Sequence, residues 1–470
     1  MDAERPTASS SATIARRSWI ERLWTSVADR GGRFAMVPPH SMPAPERAEE
    51  LARALLSERG EASGAAIARE LHMAVRELSG DERLAFFRFL ATSFLPDEAR
   101  LRAAASAYLA EPTADHVMQL ADAAEPPRQE LLRRMNMAPG GTAALIALRK
   151  EMLGALRAHP DLKALDHDLQ HLLASWFNRG FLQIRRIDWQ TPAAVLEKLI
   201  AYEAVHEIQG WDDLRRRLAP DRRCFGFFHP ALPGEPLIFV EVALTEGLAD
   251  AVQPLLARTE DEAAQRVREA RADTAIFYSI SNCQDGLRGV SFGNFLIKQV
   301  VEELRAELPH LQRFSTLSPI PGFRRWLEQR VPDEALPEDE ATALRATLDT
   351  TGWWEDEAAA RWRPALTRLC AEYLVGMPPR GPSDPVARFH LSNGARLERI
   401  NWLGNTAARG MRESFGLMVN YLYDLETIEA NHEGFVQAGE VARSEAVAAL
   451  LTPAEPPLPK GKLHKPARKK

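Results

Sequence analysis

The sequence predicts an α+β protein in which a helical region precedes a domain built around a mixed sheet. Residues 44–175 are rich in Ala, Leu, Arg and Glu and contain no Trp, whereas eight of the ten Trp residues and most β-branched runs come later. Such a change of composition indicates a domain boundary near residue 176. We therefore predict a helical domain at 1–175, a mixed-sheet domain at 176–452 and a separate tail at 453–470.

The predicted helical domain consists of short amphipathic segments that end near Gly or Pro. These segments are 50–59, 65–78, 113–120, 127–137 and 143–158. Ser79 and Glu82 have the spacing of a capping box and predict the start of another helix. Apolar residues at helical spacing in 20–27 predict a docking helix. The domain carries no catalytic motif and its histidines lack metal-like spacing, so an assembly role is expected.

The later residues alternate between β-rich runs and helical stretches, which predicts strands of both connection types in one sheet. The predicted strands are 224–228, 237–244, 274–280 and 414–423, with a closing helix at 436–451. The turn residues 233–236 predict a hairpin between the first two strands. Asn393-Gly394 is a strong hairpin signal, so we predict a second hairpin from strands at 386–392 and 395–402.

Composition and charge argue against several classes of protein. The 470 residues are 45% hydrophobic and 26% charged, which is typical of a globular protein with a sizeable core. The 59 basic and 65 acidic side chains give a net charge of −6, which disfavours nucleic-acid binding. The sequence has no run of about 18 apolar residues, which disfavours a membrane-spanning helix. The three scattered Cys residues predict neither a disulfide scaffold nor a zinc site and favour the reducing cytoplasm.

Both ends of the sequence carry basic residues. Arg16 and Arg17 are accompanied by the acidic Asp2 and Glu4, so we expect no transit peptide. The last eleven residues hold six Lys or Arg side chains after a proline-rich stretch. We expect a solvated, disordered tail there, and a phosphate- or membrane-binding arm is the alternative.

A glycine-rich loop follows the predicted strand 274–280. Gly286, Gly289 and Gly293 punctuate the loop, Arg288 lies inside it, and an apolar helix begins after it. A loop that ends at a helix N-terminus aims backbone N–H groups at an anion, so this loop is a candidate phosphate or pyrophosphate site. It has neither the Walker A nor the GxGxxG spacing, and a plain turn before a helix is the alternative.

Two further polar side chains are candidates for chemistry. Ser318 lies in Ser-Pro-Ile-Pro-Gly, where two prolines and a glycine fix a non-helical backbone. A GxSxG nucleophile elbow is absent, and an ordinary turn serine is the alternative. His390 alternates with apolar neighbours along its predicted strand and so faces away from the apolar side, which leaves a surface histidine and a catalytic one both open. His206 and His229 are similar candidates with less context.

Several strings of residues together resemble the malonyl-CoA decarboxylase family. They fall within residues 176–425 in consistent order and spacing, and the helical N-terminal half agrees with the architecture of the family. The strings are FYSIS at 277–281, FLIK at 295–298, LSPIPGF at 317–323, NG at 393–394 and RINW at 399–402, with EAVH at 203–206, PGEP at 233–236 and NY at 420–421. Several such strings in one sequence are far more specific than a single short motif.

The resemblance implies that the mixed-sheet domain is catalytic and has the acyl-CoA N-acetyltransferase (GNAT) fold. It implies that Ser318 and His390 are catalytic and that Tyr423 belongs to the substrate pocket. The CoA-binding segment of the family maps onto Arg288, Gly289, Val290, Ser291, Phe292, Gly293 and Asn294. Ser291 departs from the family pattern, which has Glu there, so the resemblance gives no carboxylate role at that position. A homotetramer is also implied.

The activity that the resemblance implies is conversion of malonyl-CoA to acetyl-CoA and CO₂ through a thioester enolate. The thioester accepts the electrons, so no cofactor, biotin or metal is expected, and the CoA moiety is part of the substrate. We expect Ser318 to hold the carboxylate and join a proton-transfer chain, and His390 to donate a proton to the enolate. An acyl-CoA-dependent N-acyltransferase of the same fold is the alternative. No nucleic-acid or membrane partner is expected.

Overall fold

The structure is a computed structural model that describes residues 19–32, 35, 37–57, 60–257, 261–290, 296–330, 338–376 and 384–452. The chain forms two compact units. The first unit contains Met1–Leu218, Arg223–Val240 and Ile280–Glu303, and the second contains Ala219–Arg222, Glu241–Ser279 and Leu304–Lys470. The first unit therefore continues past residue 176, where the composition of the chain changes.

Helices make up most of the described chain. They are α1 (Trp19–Gly31), α2 (Ala44–Leu55), α3 (Glu61–Glu77), α4 (Gly80–Ser93), α5 (Glu98–Ala110), α6 (Ala114–Ala124), α7 (Pro127–Asn136), α8 (Gly141–Ala155), α9 (Lys163–Trp176), α10 (Ala193–Tyr202), α11 (Trp211–Arg217), α12 (Gln253–Leu256), α13 (Glu262–Arg271), α14 (Leu296–Glu307), α15 (Phe323–Arg330), α16 (Glu338–Leu348), α17 (Arg363–Val375), α18 (Pro385–Ser392), α19 (Ala408–Ser414), α20 (Ile428–Ala438) and α21 (Glu445–Leu451). The helical N-terminal region that the sequence predicts is thus present.

The apolar faces of α2, α3, α4, α7, α8 and α9 enclose the core of the first unit. Leu51, Leu71 and Leu131 are among its fully buried side chains. The predicted capping box is confirmed at the start of α4, where the Ser79 N–H donates to Glu82 Oε2 at 2.8 Å and the Glu82 N–H donates to Ser79 Oγ at 3.4 Å. These bonds satisfy N–H groups that have no partner inside the helix and so fix its first residue.

The strands belong to a mixed sheet, as the sequence predicts. They are β1 (Gln183–Ile187), β2 (Arg222–Phe228), β3 (Pro236–Thr245), β4 (Thr274–Asn282), β5 (Arg313–Thr316), β6 (Ser318–Pro319), β7 (Arg396–Asn401) and β8 (Met418–Leu422). In the second unit the strand order is β4-β5-β8-β6, and β7 also pairs with β8. β4 and β5 are parallel, whereas β8 is antiparallel to β5, β6 and β7. In the first unit β1 and β2 are antiparallel.

The predicted hairpin around Asn393-Gly394 is wrong in its first half. Residues 385–392 form α18 instead of a strand, because the side chain of Asp384 caps the helix and Pro385 occupies its first turn. A cap followed by proline is a strong helix start, and it outweighs the alternation of apolar residues that suggested a strand. The second half is confirmed, because β7 lies within the predicted strand 395–402.

Two other predicted boundaries also differ from the structure. The predicted strand 414–423 is confined to β8, because residues 408–414 are helical. The predicted closing helix 436–451 is divided between α20 and α21. Gly439 ends α20 with φ +68°, a left-handed conformation that favours glycine and ends helices.

Within the part of the chain that the structure describes, no helix is long and apolar enough to cross a membrane. Some sequence predictions fall outside the described residues. These are the tail 453–470, the basic residues at 16 and 17, and Ser291, Phe292, Gly293 and Asn294 of the glycine loop.

Candidate active site

Ser318 is buried at the start of β6, two residues after β5 ends at Thr316. Its position is fixed by strand pairing, since Ser318 lies opposite Val419 of β8. The Ser318 hydroxyl donates to Thr316 Oγ1 at 2.8 Å. Pro319 and Pro321 follow, and the rigid backbone they impose is the feature of this serine that the sequence showed.

His390 lies on α18 and its ring contacts Ser318 directly. His390 Nε2 is 3.1 Å from Ser318 Oγ, although the two residues are 72 positions apart. The other ring nitrogen, Nδ1, is 2.8 Å from the Tyr423 hydroxyl. The imidazole also stacks on Tyr421, with ring centroids 4.8 Å apart. Only 3% of His390 is exposed, so the alternative of a surface histidine is wrong, and the strand on which the sequence placed it is a helix.

Thr316, Ser318, His390 and Tyr423 therefore form one continuous hydrogen-bonded series, which we term the hydroxyl–imidazole chain. The hydroxyl groups can each donate or accept, and the imidazole can carry its proton on either nitrogen. The hydrogen bonds of the hydroxyl–imidazole chain can therefore all be donated from Tyr423 towards Thr316, or all in the reverse direction. This arrangement can move a proton to or from an atom placed beside Ser318 or His390.

Burial keeps the hydroxyl–imidazole chain uncharged at pH 7. Burial lowers the pKa of His390 to about 3, so its imidazole is neutral at pH 7. Burial likewise raises the pKa of Tyr423 and that of Tyr421 well above the ordinary range. Strongly perturbed groups in hydrogen-bond contact are typical of catalytic sites.

Asp384 is a fully buried carboxyl group that links the segment after Ser318 to the helix of His390. Its Oδ1 accepts from the N–H groups of Val386 and Ala387, each at 3.0 Å. Its Oδ2 accepts from the Gly322 N–H at 3.3 Å and the Tyr373 hydroxyl at 3.2 Å. Burial raises the pKa of Asp384, and these four donors act in the opposite direction. A Cβ on Gly322 would lie 2.3 Å from the Tyr373 hydroxyl oxygen, so a larger residue there would displace the Tyr373 side chain.

Asn420 of β8 holds the carbonyl end of Thr316. Its Nδ2 donates to the Thr316 carbonyl at 2.7 Å, and its Oδ1 accepts from Asn401 Nδ2 at 2.9 Å and from Arg399 Nε at 3.1 Å. The Tyr421 N–H donates to Thr316 Oγ1 at 3.2 Å. The backbone carbonyl and the side-chain hydroxyl of Thr316 are therefore both held in place. In the sequence, Asn420 and Arg399 stand out only as parts of the strings that resemble the family, and no pattern marks Thr316 or Asp384 as a site residue.

The described part of the predicted glycine loop, residues 285–290, belongs to the first unit. Gly289 has φ +80°, Arg288 is exposed and Val290 is buried. The Arg288 and Gly289 carbonyls accept side-chain hydrogen bonds from Arg149 and Gln170, both at 2.8 Å. These two carbonyls are thereby occupied, and the N–H groups of Leu287, Arg288 and Val290 donate to backbone carbonyls of the loop itself. The Gly289 N–H and the Arg288 guanidinium are therefore the groups suited to an anion.

The weaker histidine candidates also belong to the first unit. The backbone N–H of His206 donates to Glu203 Oε1 at 2.7 Å. The His229 ring lies 4.6 Å from that of Phe177, and burial lowers its pKa. Among the described residues, no three His, Cys, Asp or Glu side chains are grouped as they would be to hold a metal ion.

A helical region, a mixed sheet and a buried series of perturbed titratable groups are together typical of an enzyme. The chain belongs to the malonyl-CoA decarboxylase family, as its resemblance to that family predicts. The model of the malonyl-CoA decarboxylase C-terminal domain matches residues 180–460, and that of the N-terminal domain matches residues 94–177.

Solved structures and other relatives agree with this membership. Malonyl-CoA decarboxylase from Rhodopseudomonas palustris is 52% identical with a TM-score of 0.80, over 86% of this chain and 99% of that one. The Agrobacterium vitis protein of the same name is 51% identical with a TM-score of 0.81, over the same shares. Mitochondrial malonyl-CoA decarboxylase from Anser anser anser is 39% identical over 353 residues, which are 70% of each chain.

Proposed function

We propose that this protein is a carboxy-lyase that converts malonyl-CoA to acetyl-CoA and CO₂. The observation that carries the proposal is the hydrogen-bond contact of Ser318 Oγ with His390 Nε2, 3.1 Å apart, in a member of the malonyl-CoA decarboxylase family. The two side chains are buried, hydrogen-bonded and supported on both sides by further hydroxyl groups. A turn serine and a surface histidine would have none of these properties.

The reaction needs a place for the electrons of the broken bond. The C–C bond to the carboxylate breaks, CO₂ leaves, and the electron pair remains on the thioester as an enolate. A proton from His390 then forms the new C–H bond of the acetyl group. Because the thioester itself accepts the electrons, we propose that the reaction requires neither biotin nor a metal ion.

His390 is neutral at pH 7, so it must gain a proton before it can act as the acid. The malonyl carboxylate would cause this proton uptake, since a negative charge beside a buried imidazole raises the pKa of the imidazole. Substrate binding would thus cause His390 to take up a proton from the solvent. When CO₂ leaves, the negative charge moves to the enolate, which takes that proton. The Tyr423 hydroxyl at Nδ1 holds the ring in orientation.

Ser318 is proposed to hold the malonyl carboxylate through its hydroxyl group. A neutral hydroxyl orients the carboxylate without the ionic stabilisation that a lysine would give to the ground state. Arg288, Gly289 and Val290, with residues 291–294 by family resemblance, are proposed to bind the CoA pyrophosphate. The Arg288 guanidinium is exposed, and a guanidinium pairs well with phosphate oxygens, which supports this role.

Incubation of the protein with malonyl-CoA alone tests the proposal. We expect acetyl-CoA and CO₂ in equal amounts. An acyl-CoA-dependent N-acyltransferase would leave malonyl-CoA intact until an amine acceptor is added, and that result would overturn the proposal. Metal chelators and avidin added to the same assay should leave the rate unchanged.

We further propose that the protein is a cytoplasmic homotetramer. α5 contains no buried residue within a single chain, which supports an assembly role for the helical region. The three Cys residues are buried free thiols, which agrees with a reducing compartment, although the goose relative is named as mitochondrial. Light scattering of the full-length protein should give the mass of four chains, and a monomer mass would contradict the tetramer.

A further inference from the structure

The described part of the glycine loop, residues 285–290, is held in place by side chains of the helical region. Arg149 of α8 is buried, and its guanidinium donates to the carbonyls of Gly286 and Arg288, both at 2.8 Å. Its Nε donates to Asp166 Oδ1 at 2.8 Å, which fixes the orientation of the planar group. Gln170 of α9 donates to the carbonyl of Gly289 at 2.8 Å.

The loop backbone also packs directly against α8. A Cβ added to Gly286 would lie 2.0 Å from the carbonyl oxygen of Ile146, so no larger residue could approach the helix this closely. A Cβ on Gly289 would lie 3.0 Å from the Gln170 amide nitrogen. The helical region therefore contacts the loop through both main-chain packing and hydrogen bonds.

These hydrogen bonds determine which backbone groups remain for a ligand. In a trans peptide the carbonyl and the following N–H point in opposite directions. The Arg288 carbonyl points at Arg149, so the N–H of Gly289 points away from it. Because the loop carbonyls are held at their oxygen atoms, the Gly289 N–H remains for a ligand beside the exposed Arg288 side chain. An N–H group next to a guanidinium suits an anion.

We propose that Arg149 and Gln170 are positioning residues for substrate binding, which hold the loop in the conformation that receives the CoA pyrophosphate. This inference rests on the proposed function of the loop. It gives the helical region a part in substrate recognition besides assembly. Fixing the loop before the substrate arrives removes an ordering cost from binding, so the effect falls on affinity rather than on the chemical step.

Gln170→Met tests the inference, because it removes the amide donor at similar size without adding charge near an anionic substrate. We expect the KM for malonyl-CoA and the Kd for CoA to rise about three- to tenfold, as for the loss of one ordering hydrogen bond. The kcat and the thermal midpoint should stay at the wild-type values, which a merely structural role would not produce. Gln119→Met on α6 is the matched control and should change neither constant.

Arg149→Lys should raise the same two constants further, because a single ammonium cannot bond to Asp166 and to two carbonyls in the same geometry. If this variant does not fold, Gln170→Met decides alone. Wild-type affinity for CoA in a folded Gln170→Met protein would overturn the inference. Absence of malonyl-CoA turnover in the wild type would instead overturn the proposed function itself, so the two failures are distinguishable.

Discussion

The hydroxyl–imidazole chain and the glycine loop use opposite physical means. The first consists of side chains that are removed from water, with His390 and Ser318 both buried and bonded to each other. The second offers backbone groups and an exposed arginine, and its side-chain partners act only to hold its carbonyls. Burial shifts the pKa of an imidazole by several units and so serves chemistry, whereas held amide groups serve the binding of an anion.

This difference predicts separate kinetic signatures for the two regions. Changes in the hydroxyl–imidazole chain should lower kcat and leave CoA binding intact. Changes in the loop should raise KM and leave kcat intact, because an interaction made equally with substrate and transition state affects binding alone.

Ser318→Ala and His390→Asn should give the largest effects. Each removes a member of the proton-transfer chain, and we expect each to lower turnover by roughly 10²-fold or more. CoA binding measured by calorimetry should match the wild type in both variants. Near-normal turnover of His390→Asn would show that the histidine has no catalytic role.

Gly289→Val should break the loop through its backbone. Gly289 has φ +80°, where a β-branched residue is strained by about 1–2 kcal/mol, so we expect roughly tenfold weaker binding of CoA and malonyl-CoA alike. Gly154→Val on α8 is the control, since a Cβ there meets no atom within 4 Å. Reduced turnover with unchanged CoA affinity would mean that the loop does not bind the pyrophosphate.

Asp384→Asn should weaken both stability and turnover. The amide cannot accept from all four donors, and we expect a loss of about 1–3 kcal/mol in the free energy of unfolding. Displacement of α18 relative to Ser318 should lower kcat by about tenfold. Asp261→Asn changes a similar but exposed cap, that of α13, and should lower stability by about 1 kcal/mol or less without affecting kcat. Equal behaviour of the two variants would contradict a link between Asp384 and the site.

The last prediction is a pH dependence of stability. The pKa of His390 is about 3 in the folded protein, below the ordinary value of 6.5. A depressed pKa contributes stability that is complete above about pH 6.5 and is lost as the pH falls towards 3. The wild type should therefore lose stability over this range more steeply than His390→Asn, as measured by denaturant unfolding. His167→Asn, which changes an exposed ring, should keep the wild-type slope.

Local patterns were sufficient to predict much of the fold. The capping box at Ser79 and the apolar runs that became β2, β3 and β4 depend on neighbours in sequence, and the structure confirms them. The strand predicted at 386–392 failed because alternation of apolar residues also occurs in a short helix that is buried on one side. The Asp384-Pro385 start signal was present in the sequence and would have corrected it.

The site could not be assembled from local patterns because its contacts join distant residues. Ser318 and His390 are 72 positions apart, and Gly322 and Asp384 are 62 apart. Only the family resemblance named the first pair in advance. Thr316 was missed because a threonine at a strand end has no distinguishing pattern, and Arg149 because its partners lie 137 and 139 positions away.

The turnover of the double variant Ser318→Ala/His390→Asn, compared with both single variants, tests most directly whether the two residues act as one unit. Residues that share one proton-transfer step lose it with the first replacement, so the losses are far from additive. We predict that the double variant decarboxylates malonyl-CoA about as slowly as the slower single variant. Losses that multiply, as for two independent sites, would contradict the account.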